Sequence, residues 1–147
     1  MPETNVEIFK QLIEAFNERG LEGALEFFDE DVEVYDPDLQ DGATIKGHAG
    51  VLGVIGEIVD AFDVMKVENY EAIPVGDRVV ALVHTGGYGE GRRGEMDVEL
   101  HDAHLMTFRD GKITYWRLYL DQAEALADAG LDPSLAERYR HGDVPAP

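Results

Sequence analysis

The chain has 147 residues, 44% of them apolar, with no cysteine and with 31 acidic against 12 basic side chains for a formal charge of −19. That length fits one domain with a sizeable core, and the apolar share excludes a disordered class. The charge repels phosphate backbones and anionic bilayers, so no nucleic acid and no membrane is expected as a partner, and the lack of cysteine excludes disulfides and thiolate metal sites.

No apolar run reaches the roughly eighteen residues of a membrane span, and Met1-Pro2-Glu3-Thr4 lacks the basic and apolar regions of a signal peptide, so a cytoplasmic protein is expected. Thr4-Asn5-Val6-Glu7 is a capping box, and Ile8, Phe9, Leu12, Ile13 and Phe16 follow at helical spacing, predicting a helix over about 5–18. Gly20 ends it, and Leu21, Ala24, Leu25 and Phe28 predict a short second helix. From Asp31 the period becomes two: Val32, Val34 and Asp36 share one face, Glu33 and Tyr35 the other. Pro37 ends that strand because proline cannot donate to the ladder.

Residues 38–47 read as an acidic loop before a helix from about His48 to Phe62. Gly47, Gly50, Gly53 and Gly56 in and before it either permit close approach to a sheet or simply weaken the helix. Strands over about 64–74 and 78–88 follow, with Val80, Leu82 and His84 on one face of the second, and the glycine-rich stretch 86–94 reads as a long hairpin loop. Strands near 95–109 and 112–121 flank Asp110-Gly111, a strong hairpin signal. His104, Met106 and Phe108 share a face on the first arm. On the second, Trp116, Leu118 and Leu120 form the apolar face, and Tyr115, Arg117, Tyr119 and Asp121 the other. A helix over 122–129 closes a single domain of residues 1–130, and 131–147 is a polar tail with one candidate helical turn at Ser134–Arg140.

Helices first and strands after predict an α+β fold, a curved antiparallel sheet wrapped like a cone around the N-terminal helices with a cavity inside. The outer sheet face, carrying Tyr115, Arg117 and Tyr119, needs cover, and those residue types are enriched in interfaces, so a homodimer is expected.

The helical pair ending in Ala15-Phe16-Asn17, the segment Val34-Tyr35-Asp36-Pro37, Gly47 before the third helix and the run from His104 to Asp121 resemble the nuclear transport factor 2-like superfamily. That superfamily includes ketosteroid isomerases, SnoaL-like polyketide cyclases, limonene epoxide hydrolases and scytalone dehydratases. The resemblance covers about residues 4–130 and implies the cystatin-like α+β barrel and a dimer. It places Asp36 where ketosteroid isomerases keep their general base and His104 where they keep a protonated aspartate. Their oxyanion tyrosine would fall near Leu12. The arginine and two aspartates of the epoxide hydrolases would fall near Arg78, Val80 and Leu118, and the acid/base aspartate of the cyclases also near Leu118.

The candidate catalytic set is therefore Asp36, His104 and His84, each expected to face the cavity. A carboxylate in an apolar pocket has its charged form disfavoured, which suits a general base, with histidine as donor or acid. Trp116, Leu118, Leu120, Met106, Phe16, Val34 and Tyr35 are the expected substrate-binding residues, and Tyr119 and Asp121 are rim residues or an alternative acid. Two histidines and a carboxylate match the ligand count of a facial triad, but they come from three strands with no local ligand spacing, and neither metal nor cofactor is expected. The reading is a cofactor-independent isomerase, cyclase or lyase acting by proton transfer on a small apolar or polycyclic molecule. The alternatives are a non-catalytic ligand-binding or dimerisation module and an epoxide hydrolase.

Overall fold

The computed structural model describes residues 4–35, 44–60, 64–91 and 94–140. Asp36, most of the 38–47 loop and the Arg92-Arg93 pair lie outside the described residues. The element order is α1 (Asn5–Arg19), α2 (Leu21–Leu25), β1 (Phe28–Tyr35), β2 (Thr44–Lys46), α3 (His48–Asp60), β3 (Val64–Val75), β4 (Arg78–Gly91), β5 (Gly94–Arg109), β6 (Lys112–Tyr119), α4 (Gln122–Asp128) and α5 (Leu135–Arg140). The strands form one six-stranded sheet in the order β2-β1-β6-β5-β4-β3. Its pairings are antiparallel except for β1 with β6, which run parallel and bring Val34 beside Trp116.

Local chemistry explains the element ends. The Thr4 side chain accepts from the Glu7 N–H at 3.2 Å, which satisfies one of the free amides at the start of α1. The β5–β6 turn holds Asp110 at φ 52° and Gly111 at φ 80°, the pair of positive values that a two-residue type I′ turn requires. Within α3, Gly50 lies close to Ile45, whereas an added Cβ at Gly53 or Gly56 would meet nothing within 4 Å. Those two glycines weaken the helix, by about 0.5–1 kcal/mol each relative to alanine, without serving a close approach.

Three expectations are corrected. The described residues of the stretch 86–94 are strand rather than loop: β4 and β5 stay paired from Gly86 opposite Glu99 to Gly91 opposite Gly94. Glycine carries no side chain to show period two, so the ladder there is invisible to pattern reading. The first strand also begins earlier than the change of period at Asp31 predicts: Phe28, expected in the second helix, opens β1 and packs in the core. Finally, the segment read as a polar tail contributes to packing, since Leu131, Leu135 and Ala136 join a second core.

The sheet is buried on both sides. Its concave face packs with α1, α2 and α3 in a core that includes Phe9, Ile13, Val34, Val51, Met106 and Trp116. Its convex face carries Val80, Leu82, Ala103, Leu105 and Tyr119, covered by α4 and the segment after it. Arg117 stacks over the rings of Tyr35 at 4.0 Å and Tyr119 at 4.4 Å, and lies 3.7 Å from both Glu124 and Asp128. The chain's own α4 therefore covers part of the outer face for which a partner is expected.

Tyr119 donates its hydroxyl proton to Asp128 at 2.7 Å. Burial first, and that hydrogen bond second, push its pKa upward, and burial likewise raises those of Tyr70 and Tyr115. A tyrosine with a raised folded pKa contributes stability that is complete below the unfolded value near 10 and is lost as pH climbs through the folded one, because the unfolded chain ionises first. The melting temperature is expected to fall between about pH 9 and pH 11. Tyr119→Phe should melt lower at pH 8, by the loss of a bond worth about 1 kcal/mol, yet lose less on going to pH 11. Parallel melting curves for the two proteins across that range would contradict the assignment.

Candidate functional site

Between the concave face and the helices lies a cavity of about 90 Å³, space for several waters or part of a ligand. Its helical wall is Phe9, Leu12, Ile13 and Phe16 of α1, reinforced by Leu21, Ala24, Phe28, Val51 and Val67. Helical spacing puts the four α1 side chains on one stripe. The position of α1 is pinned at its end by Asn17, whose side-chain amide donates to the Val67 carbonyl at 3.0 Å and whose oxygen accepts the Val67 N–H at 2.9 Å. This pair of hydrogen bonds to the backbone falls where β3 slips register against β4, between Val67 and Asn69, and satisfies groups that the irregularity would leave unpaired.

The sheet wall supplies Leu100, Asp102, His104 and Met106 from alternate positions of β5, Thr85 from β4, Trp116 and Leu118 from β6, and Leu120 just past its end. Leu120 is 77% exposed, which places it at the mouth. Among the described lining residues the polar side chains are Thr85, Asp102 and His104, together with the indole N–H of Trp116. They form one connected set. The Trp116 Nε1–H donates to His104 Nδ1 at 2.9 Å, His104 Nε2 lies 3.2 Å from Asp102 Oδ2, and the Thr85 hydroxyl donates to Asp102 Oδ1 at 3.2 Å. The imidazole and indole rings stack with centroids 5.7 Å apart and 14° between planes, and the Phe28 ring meets the indole edge-on.

The donor pattern fixes the state of His104. An indole N–H can only donate, so Nδ1 must be the acceptor nitrogen of a neutral ring, and the ring proton sits on Nε2, beside the carboxylate. An imidazolium would set two N–H groups against each other at the Trp116 contact.

Of the expected site residues, the structure brings His104, Trp116, Leu118, Leu120, Met106 and Phe16 together around this cavity. Asp36 lies outside the described residues. Val34 is fully buried in the core behind the cavity rather than in its lining, and Tyr35 faces the other way, under Arg117. His84 is on the convex face: it stacks on His101, its cross-strand neighbour, with ring centroids 4.8 Å apart, and lies 4.0 Å from Glu68. The face chosen for it was the wrong one because Val79, Val80, Ala81, Leu82 and Val83 are all fully buried, and period two cannot say which buried face holds the cavity. Tyr119 belongs to the second core, and Asp121 is the N-cap of α4, accepting from the N–H groups of Ala123 and Glu124. Neither reaches the cavity. Val80, an epoxide-hydrolase position, also points into the second core. Asp102 was missed, although it precedes His104 by two residues and so shares its face. Among the described residues no group of three or more His, Asp and Glu is placed to hold a metal, and no helix is long and apolar enough to cross a membrane.

Comparison with known proteins agrees with this architecture. A solved structure of TerC co-crystallised with polyporic acid is 29% identical, covers 82% of this chain and 93% of its own, and superposes with a TM-score of 0.63. An NTF2-like protein of unknown function from Burkholderia pseudomallei is 25% identical over 86% of this chain and 97% of its own, with a TM-score of 0.65. A putative SnoaL-like polyketide cyclase from Jannaschia, 19% identical over 81% of this chain and 90% of its own, shares the fold at a TM-score of 0.63. Among curated protein sequences no significant relative is found. The model of the SnoaL-like domain matches residues 9–116, from the cavity stripe of α1 to the indole that holds His104, and the chain belongs to that family within the NTF2-like superfamily.

Proposed function

We propose that this protein is a cofactor-independent enzyme of isomerase, cyclase or lyase type that moves a proton on a small apolar, ring-containing molecule, with Asp102 as the base. The observation that carries this reading is a carboxylate held at the wall of an otherwise apolar cavity by two donors, Thr85 and the Nε2 side of His104. A base works best when its geometry is set before the substrate arrives, and this one is fixed from both oxygens. His104 orients the carboxylate, and Trp116 in turn fixes His104. Similarity to a protein crystallised with polyporic acid supports an organic small molecule as the ligand. Asp36, the base implied by the superfamily resemblance, is the second candidate, and Asp36→Asn beside Asp102→Asn separates the two.

The test is proton exchange in deuterium oxide with a panel of apolar cyclic ketones, followed at the α-carbon by NMR. Protein-dependent exchange above the buffer rate is expected for at least one of them. No exchange with any ketone of a size to fit would sink the enzyme reading. A second reading, binding without turnover, is favoured by one observation: both ring nitrogens of His104 are engaged by protein groups, which leaves it no position from which to act as an acid.

A homodimer is proposed through the part of the convex face that α4 leaves open, around Tyr115 and Tyr35. Both are only half-buried within the single chain. Light scattering at micromolar concentration should then give twice the single-chain 16.3 kDa, and a mass equal to the single chain would refute it.

A further inference from the structure

Among the described lining residues, the side-chain hydrogen-bonding capacity is one-sided. Each side-chain hydrogen that the described lining residues could offer is directed at another protein atom: the Trp116 N–H at His104, the His104 Nε2–H at Asp102 and the Thr85 hydroxyl at Asp102. An ionised carboxylate has about four acceptor positions, and these contacts use two of them. What remains for a ligand is acceptor capacity on Asp102 and on the Thr85 oxygen, set among aromatic and aliphatic walls.

We infer that the cavity selects its ligand by a donated hydrogen, taking a neutral ring-bearing phenol or enol whose hydroxyl points at Asp102 and rejecting carboxylates and other anions of the same shape. The inference rests on the reading of Asp102 as the group that meets the ligand. Three physical effects support it. A hydroxyl donated to a carboxylate is a charge-assisted bond in a cavity with little water to compete for it. An anion would meet Asp102 as a like charge, with no free side-chain donor among the described lining residues to offset its lost hydration. At longer range the formal −19 of the chain lowers the local concentration of anions further.

Trp116 is the chain's single tryptophan and sits in the cavity wall, so its emission reports occupancy directly. Titration at neutral pH with 4-propylphenol, 4-propylanisole and 4-propylbenzoate compares a donor, its methyl ether and an anion on one ring. The phenol is expected to bind at least about tenfold tighter than the ether, the usual effect of losing one hydrogen bond to a charged group, and the benzoate should be weakest. Asp102→Asn, which supplies an amide N–H, should narrow the gap between phenol and ether and let the benzoate gain on both. An ether that binds as tightly as the phenol in the unmodified protein, or a benzoate that equals it, overturns the inference whether or not the variant folds. Because these are equilibrium measurements, the outcome is separable from the enzyme reading. The expected ligand order with no deuterium exchange leaves donor selection standing without catalysis, and exchange with the wrong order does the reverse.

Discussion

Asp102→Asn is expected to slow proton exchange by about 10²–10⁴-fold while the protein remains folded, the usual contribution of a positioned general base. Asparagine has nearly the same shape and keeps one acceptor oxygen for the Nε2–H of His104. Its amide nitrogen becomes a donor where the carboxylate accepted from Thr85, but the Thr85 hydroxyl can rotate and offer its oxygen instead. The network reconnects, so the variant separates chemistry from folding. Exchange rates and melting curves on the same preparation decide the matter. A rate within a few-fold of the unmodified protein would move the base elsewhere, and Asp36 would be the first position to examine.

Trp116→Phe and Trp116→Ala are expected to differ in kind. Removing the whole ring from a side chain only 2% exposed should cost about 3–5 kcal/mol, the range for a large aromatic truncated in a packed core. Phenylalanine retains much of the packing but cannot donate. It leaves His104 Nδ1 without its partner in a site where only 16% of the imidazole side chain is exposed, and an unsatisfied buried acceptor costs about 1–3 kcal/mol. The ring has a way to respond, since the proton can move to Nδ1 or the ring can take up a second one. Ring-nitrogen chemical shifts should show a single Nε2–H tautomer in the parent protein and a mixture or an imidazolium in Trp116→Phe. Identical spectra for the two would mean that the indole packs against His104 without setting its protonation.

The hairpin that carries His104 and Trp116 is legible from residues because every local signal agrees there: an Asp-Gly turn, two alternating arms and the chain's single tryptophan. The same alternation puts Asp102, two residues before His104, on the cavity face, but a charged side chain breaks the apolar stripe that runs from His104 onward and so gives no local sign of belonging to it. His84 failed for a different physical reason. Where α4 covers the back of the sheet, a strand needs apolar residues on both faces, so alternation vanishes and the face is set by tertiary packing alone. Tyr35 shows the limit of local reading from the other side. It neighbours buried Val34, yet only the placement of Arg117 on β6, adjacent in the sheet but far along the chain, decides what it touches. Asp121 could have been assigned correctly from sequence, since an aspartate directly before a helical run is an ordinary N-cap.

The parallel join between β1 and β6 has a consequence for the order of events in synthesis and folding. The strand that follows the first two helices can neither fill its place in the sheet nor shield Val34 until β6, near the other end of the chain, has been made and has paired with β5. The two ends must meet by closing a loop over most of the sequence, a slow and entropically costly step compared with zipping the hairpins between them. An N-terminal fragment on the ribosome would hold an amphipathic helix pair with its apolar stripe exposed, waiting for the wall it packs against. The ligand cavity is then the last part of the molecule to form, and chaperone dependence or aggregation should depend more on the interval before β6 appears than on the strength of any single contact in the finished fold.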